Sequence, residues 1–204
     1  MPAQGLLDRP SSATAVKRVI LSRRIGKRGA PMISRRTFLQ MCLLLTLSGY
    51  AGELQAYNAK DRVLKLFNIH TGERLHVKYC SGGLYDSDAL EGINRLLRCH
   101  YSNEIKPIKV EILDLLCDIK DRLEKDAEIQ IISGYRSPAY NAYLWSHGRG
   151  AVKNSLHLEG RAIDFYLPRV HNARIFEVAR AFYAGGVGYY PEFVHIDNGR
   201  VRSW

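Results

Sequence analysis

The sequence predicts an α+β domain in which helices flank a small antiparallel sheet, and three observations carry that expectation. Two β-prone runs at 63–68 and 75–79 bracket the turn residues His70-Thr71-Gly72-Glu73, the pattern of a hairpin. Two longer stretches, 86–99 and 110–125, carry apolar residues at helical spacing. Further on, 161–167 and the residues around His195 read as short strands in which apolar and polar groups change places.

Taken in order, Asp86-Ser87-Asp88 is an N-cap cluster for the first helix, whose Leu90, Ile93, Leu96 and Leu97 share a face. The second helix follows Pro107 and has Ile112, Leu115, Leu116, Ile119 and Leu123 as its stripe. A short buried strand is expected at 129–133. A helix with Pro138 in its first turn should then run to about His147, with Tyr140, Tyr143 and Trp145 facing the core or a cleft. The stretch 148–154 reads as a flexible loop, and 173–184 as an amphipathic helix stopped by Gly185-Gly186. His70, His76 and His171 read as turn or surface residues, and His147 is placed to face a cleft.

The chain has 204 residues, 46% hydrophobic and 25% charged, which suits one globular domain. Its net charge of +10 is unevenly spread. Residues 1–56 hold nine Lys or Arg against two Asp or Glu, and 57–204 carry only the remaining +3. That distribution argues against nucleic-acid binding, which needs a basic face on the fold itself. The first segment reads instead as an export signal. Ser34-Arg35-Arg36-Thr37-Phe38-Leu39 fits the twin-arginine pattern, an apolar run follows, and Leu54-Gln55-Ala56 offers a cleavage site. The run is too short to span a bilayer, which takes about 20 residues, so no stable membrane span is expected after cleavage. Residues 1–56 are thus an N-terminal extension with a signal peptide, 57–204 the mature domain, and the periplasm its destination. Met32 just before the signal is an alternative start to Met1. The mature part keeps Cys80, Cys99 and Cys117, an odd number whose pairing the sequence leaves open. Nothing in the sequence sets an oligomeric state.

The densest chemistry lies in Ser155-Leu156-His157-Leu158-Glu159-Gly160-Arg161-Ala162-Ile163-Asp164, answered by Phe193-Val194-His195-Ile196-Asp197. Two histidines and one carboxylate are the protein ligands of a catalytic zinc site with an open position. Asp164 is the odd polar group in an apolar strand, and a buried carboxylate needs a partner. This Ser-x-His-(x)6-Asp pattern, with a second x-x-His on a strand, resembles the zinc D-alanyl-D-alanine peptidases of bacterial cell walls. The segments Ile131-Ile132-Ser133-Gly134-Tyr135-Arg136-Ser137, Gly185-Gly186-Val187-Gly188-Tyr189-Tyr190-Pro191 and Val201-Arg202-Ser203-Trp204 look closest to the murein endopeptidase K branch of that family.

The resemblance covers about the last three quarters of the chain. It implies a fold like that of the hedgehog and D-Ala-D-Ala peptidase domains, with His157, Asp164 and His195 as zinc ligands. It implies Arg136 as the group that holds a substrate carboxylate, a role suited to a guanidinium fork. Ser155 is placed to bond substrate or the metal loop. The general base of the family's dipeptidases stands three residues before the second histidine, where this chain has Glu192. Asp197, on the same strand face as His195, is the second candidate. The implied function is an exported zinc peptidase of peptidoglycan stem peptides or their crosslinks. The alternative is a non-catalytic module that binds zinc or peptidoglycan on the same fold. Whether it acts as endopeptidase or carboxypeptidase, and on which bond, is left open.

Overall fold

A computed structural model describes residues 60–204; the export signal, both candidate start positions and the boundary near Ala56 lie outside the described residues. The strands are β1 (Arg62–Asn68), β2 (Arg74–Ser81), β3 (Leu84–Tyr85), β4 (Glu128–Ser133), β5 (Ala162–Tyr166), β6 (Gly186–Tyr189), β7 (Val194–Asp197) and β8 (Arg202–Ser203). The helices are α1 (Ser87–Leu96), α2 (Val110–Leu123), α3 (Pro138–Ser146) and α4 (Asn172–Arg180), with one 3₁₀ turn at Leu156–Glu159.

The architecture is α+β, but the sheet is larger than expected and is mixed. Eight strands run in the order β3-β2-β1-β4-β5-β7-β6-β8. β1 and β4 are parallel, as are β6 and β8; the other neighbours are antiparallel. The parallel β1–β4 pair has a plain cause. α1 and α2 lie between them in sequence, and a parallel pair needs such a long crossover. β3, β6 and β8 are missed in the sequence because two of them have two residues each and the third reads Gly-Val-Gly-Tyr. Such runs show no period.

The hairpin forms as the spacing predicts, with Gly72 at φ 72° in its turn. Asp86 caps α1 by accepting a 2.8 Å hydrogen bond from Ala89 N–H. α1 packs on β2, while α2 packs on β1, β7 and α4. Their apolar stripes meet the sheet in a core that includes Leu64, Leu66, Ile112, Leu116, Ile129 and Ile163, each no more than 1% exposed. α4 ends at Arg180, earlier than predicted, and Tyr183 adopts φ 53° in the turn that follows. Cys80, Cys99 and Cys117 are all buried free thiols, so none of the possible pairs forms. Among the described residues no helix is long and apolar enough to cross a membrane.

Candidate metal centre and its cavity

β5 and β7 pair so that Asp164 stands directly opposite His195, and Ala162 opposite Asp197. Side chains of paired residues project to the same face, so strand register alone brings this carboxylate to this imidazole. His195 Nδ1 lies 2.7 Å from Asp164 Oδ1. A β-bulge in β4 sets Ser133 opposite Asp164 on the other side.

His157 arrives by a different route, on the 3₁₀ turn. Gly160 ends that turn at φ 65°, and a Cβ there would strike the Pro107 carbonyl oxygen. The His157 ring is buried, and its Nδ1–H donates to the Gly134 carbonyl at 2.7 Å. Its own carbonyl accepts from Arg136 N–H at 3.1 Å, while Tyr135 N–H donates to the Leu97 carbonyl at 2.8 Å. The turn carrying Gly134-Tyr135-Arg136 is therefore clamped between α1 and the metal loop. This clamp aims His157 Nε2 at Asp164 Oδ2, 3.2 Å away.

The candidate ligand atoms of His157, Asp164 and His195 lie within 4.8 Å of one another and form a group that could hold a metal ion. The chemistry of these donors fits a zinc-like cation. Burial lowers the pKa of His157, which favours a neutral ring. With Nδ1–H spent on Gly134, the lone pair of Nε2 then faces a carboxylate oxygen, an arrangement that a cation between them relieves. His195 is arranged the same way from its far side. Its Nε2 faces Asp197 Oδ2 at 3.2 Å. Metal-bound histidines are usually oriented by just such outer acceptors, here a backbone carbonyl and a carboxylate.

The electrostatics agree. Burial opposes the charged imidazole of His195, but its hydrogen bonds to Asp164 and Asp197 push it up to about 9. A proton there does the work a metal cation would do between the same two donors. Burial would raise the Asp164 carboxyl, yet its contacts with His157 and then with His195 hold it well below the carboxylate range. Asp197 is also held low against its burial. It is hydrogen-bonded to His195 and Arg202 and accepts the Gly199 and Gly186 N–H groups. Its Oδ2 is 2.7 Å from Arg202 Nη2, and its Oδ1 accepts from Gly199 N–H at 2.8 Å and Gly186 N–H at 3.1 Å.

These residues line a cavity of about 500 Å³. Arg136 reaches into it, 9% exposed, with Nη2 3.4 Å from Asp164 Oδ2 and 3.3 Å from Ser133 Oγ. Its Nε is buried without a hydrogen-bond partner. Ser155 also lines the cavity. Glu192 does not: it is exposed on the connection between β6 and β7, outside the cavity lining. His147 likewise points away, with Nδ1 2.8 Å from the Tyr143 carbonyl, and Trp145 is exposed beneath Lys153.

Several site residues carry no assigned role in the sequence reading. Arg202 pairs with Asp197, and Tyr190, Phe193 and Trp204 line the cavity. Asn141 is a buried polar residue inside a helix, and that was a legible signal. Its Nδ2 donates to the carbonyls of Val152 (3.0 Å) and Lys153 (3.3 Å), tying the cavity loop to α3.

A family model described as peptidoglycan L,D-endopeptidase MepK matches residues 56–204. The curated peptidoglycan L,D-endopeptidase MepK of Escherichia coli K12 is 38% identical over 147 residues, which is 71% of this chain and 81% of that protein. The probable peptidoglycan L,D-endopeptidase MepK of Haemophilus influenzae is 36% identical over 148 residues, 71% of this chain and 80% of the relative. No solved structure matches the chain. The chain belongs to the peptidoglycan L,D-endopeptidase MepK family.

Proposed function

We propose that this member of the family is an exported, zinc-dependent peptidase of peptidoglycan, hydrolysing amide bonds in stem peptides or their crosslinks. The observation that carries the reading is the inward convergence of His157 Nε2, His195 Nδ1 and the Asp164 carboxylate beside Arg136 in one cavity. The names of the relatives supply the substrate class. His157, Asp164 and His195 would hold the zinc, which when bound polarises a carbonyl and acidifies water.

The chain's own residues do the rest. Arg136, whose guanidinium lines the cavity on long internal contacts of 3.3–3.4 Å, binds a substrate carboxylate and so sets the scissile amide over the metal ligands. Asn141 Oδ1, 3.4 Å from Arg136 Nη1, steadies that fork. Gly134 and Asp197 fix the two imidazoles from behind. Asp197 is thus a positioning residue, since its oxygens are already engaged by Arg202, His195 and two backbone N–H groups. The export route rests on Arg35-Arg36. Arg35→Lys with Arg36→Lys should hold the precursor in the cytoplasm, and unchanged processing would point to another route.

One observation favours a second reading, a non-catalytic zinc or peptidoglycan-binding module. Among the described residues, the carboxylates lining the cavity are Asp164 and Asp197, and both are engaged. Zinc analysis of the purified mature chain, combined with digestion of isolated sacculi, separates the two. The peptidase reading expects bound zinc and conversion of crosslinked muropeptide dimers to monomers, lost on chelation. Zinc-bearing protein that sediments with sacculi and releases nothing would establish the module instead.

A further inference from the structure

Trp204 is 48% exposed, yet every part of it is held. Its N–H donates to the Val187 carbonyl at 3.2 Å, and its carbonyl accepts from Tyr189 N–H at 2.9 Å, which extends the parallel pairing of β8 with β6. Its indole N–H donates to the Tyr190 hydroxyl at 3.1 Å. The ring lies so close to Gly188 that a Cβ there would come 2.7 Å from Cε2. The Arg202 guanidinium sits 4.8 Å from its centroid, and Arg202 is itself clamped to Asp197. The ring is 5.5 Å from that of His195.

A tryptophan fixed in this way offers the cavity hydrocarbon and nothing else, because its one polar group is satisfied inside the protein. Tyr190 and Phe193, stacked at 4.5 Å, continue the same cavity wall. Three arginines also line the cavity; Arg202 is spent on Asp197, which leaves the guanidiniums of Arg136 and Arg149. The cavity therefore presents cationic hydrogen-bond donors together with a rigid apolar surface. Its complement is a ligand with a carboxylate and an alkyl chain. A sugar ring also stacks on indole, but a neutral one brings no anion to pair with the guanidiniums.

We propose that Trp204, continued by Tyr190 and Phe193, receives the alkyl side chain of the substrate residue whose carboxylate meets Arg136, and that it sets the preferred length of that chain. This rests on the peptidase reading above and adds a specificity-determining residue to it.

The chain has two tryptophans, so in Trp145→Phe the remaining fluorescence comes from Trp204 alone. Titrating that mature chain with N-acetyl dipeptides, whose free-acid terminal residue carries a progressively longer alkyl side chain, should shift Trp204 emission to saturation. Affinity should rise by roughly 10-fold or more across the series, the scale on which apolar pockets read methylenes. Silent emission, affinity indifferent to chain length, or a response to an N-acetylated disaccharide alone would overturn the proposal.

Digestion of crosslinked muropeptides supplies the second readout. Trp204→Ala should raise KM about 10-fold with kcat near that of the parent and flatten the length preference, and Trp204→Phe should restore most of it. A merely structural role would instead depress all substrates alike and lower zinc content with them. Turnover with a silent Trp204 would leave the peptidase reading standing and remove the wall; length-dependent emission without turnover would do the reverse.

Discussion

Asp164 and His195 face each other across the β5–β7 ladder, whereas Arg149 and Glu192 sit on the connections at the cavity's edge. The strand pair is buried and over-determined. Each imidazole has a partner behind it, and Asp197 is held by Arg202 and two backbone N–H groups. The connection that carries Arg149 is held by less: Asn141 ties Val152 and Lys153, and Gly148 and Gly150 take positive φ in open space. Ligand geometry belongs to the buried strand pair and the 3₁₀ turn clamped against it, and substrate fit to the rim, where variation costs the fold less.

The sharpest break of this contrast is His157→Ala. It removes a donor from the clamped side, so zinc content and sacculus digestion should fall together, by more than about 100-fold in turnover, since outer partners alone are worth about 10–100-fold. Retained zinc would show that the cluster is not the metal site. Asp197→Asn probes the layer behind. It keeps the shape but removes the charge that orients His195 and pairs with Arg202, so zinc affinity measured by chelator competition should weaken by about 10–100-fold. Unchanged affinity would mean that the strand register positions His195 unaided.

The convergence of the candidate ligands His157, Asp164 and His195 was legible because strand period and a glycine-ended turn are local features, and Asp164 breaks an apolar run. Arg136 was singled out only through the family resemblance of the segment 131–137, in the turn that follows β4. What stands behind them was not legible. The Gly134 carbonyl carries no side-chain signature, and Arg202 reaches Asp197 only because β6, β7 and β8 are neighbours in the sheet. β6 and β8 themselves show no period. The one mixed feature of the sheet near the hairpin, the parallel β1–β4 pair, depends on how α1 and α2 fold over it, which is tertiary rather than local information. Trp204 was visible as a residue but not as a wall, since its contacts with His195 and Gly188 come from strand order.

Glycine substitutions separate the two regions by stability. Gly160→Ala forces a Cβ into the Pro107 carbonyl at φ 65° and should cost on the order of 1–3 kcal/mol. Gly150→Ala, at φ 72° with nothing within 4 Å, carries only the conformational penalty of about 1–2 kcal/mol. Thermal unfolding should therefore rank Gly160→Ala as the less stable; the reverse order would mean that the loop is the more constrained region.

A smaller effect is expected beside the arginine. His100 stacks on His70 at 3.9 Å and meets the edge of Tyr140 at 4.9 Å. Burial, then the charges of His70 and Arg136, lower its pKa from 6.5 to about 4. Between those values the unfolded chain binds the proton that the folded one refuses, so stability is complete above about 6.5 and declines as pH falls toward 4. The ring is only half-buried, so the loss is on the order of 1 kcal/mol after solvent screening. Denaturant midpoints across that window should lose this slope in His100→Gln, and a slope that persisted would assign it to other groups.

Glu192→Gln is the smallest expected change and the closest test of the division between sheet and rim. The spacing of Glu192 to His195 is that of the general base in the dipeptidases the chain resembles, and such a base is worth about 10²–10⁴-fold in turnover. In the structure its side chain is exposed and does not line the cavity. A base must come within about 2.6–3.2 Å of the proton it takes, directly or through one water, and Glu192, outside the cavity lining on the connection that carries stacked Tyr190 and Phe193, would have to be brought inward to do so. Glu192→Gln should thus keep its zinc and digest sacculi within a few-fold of the parent. A fall of 100-fold or more with zinc retained would show that substrate draws this connection into the cavity, and would make the rim a moving part of the chemistry rather than its frame.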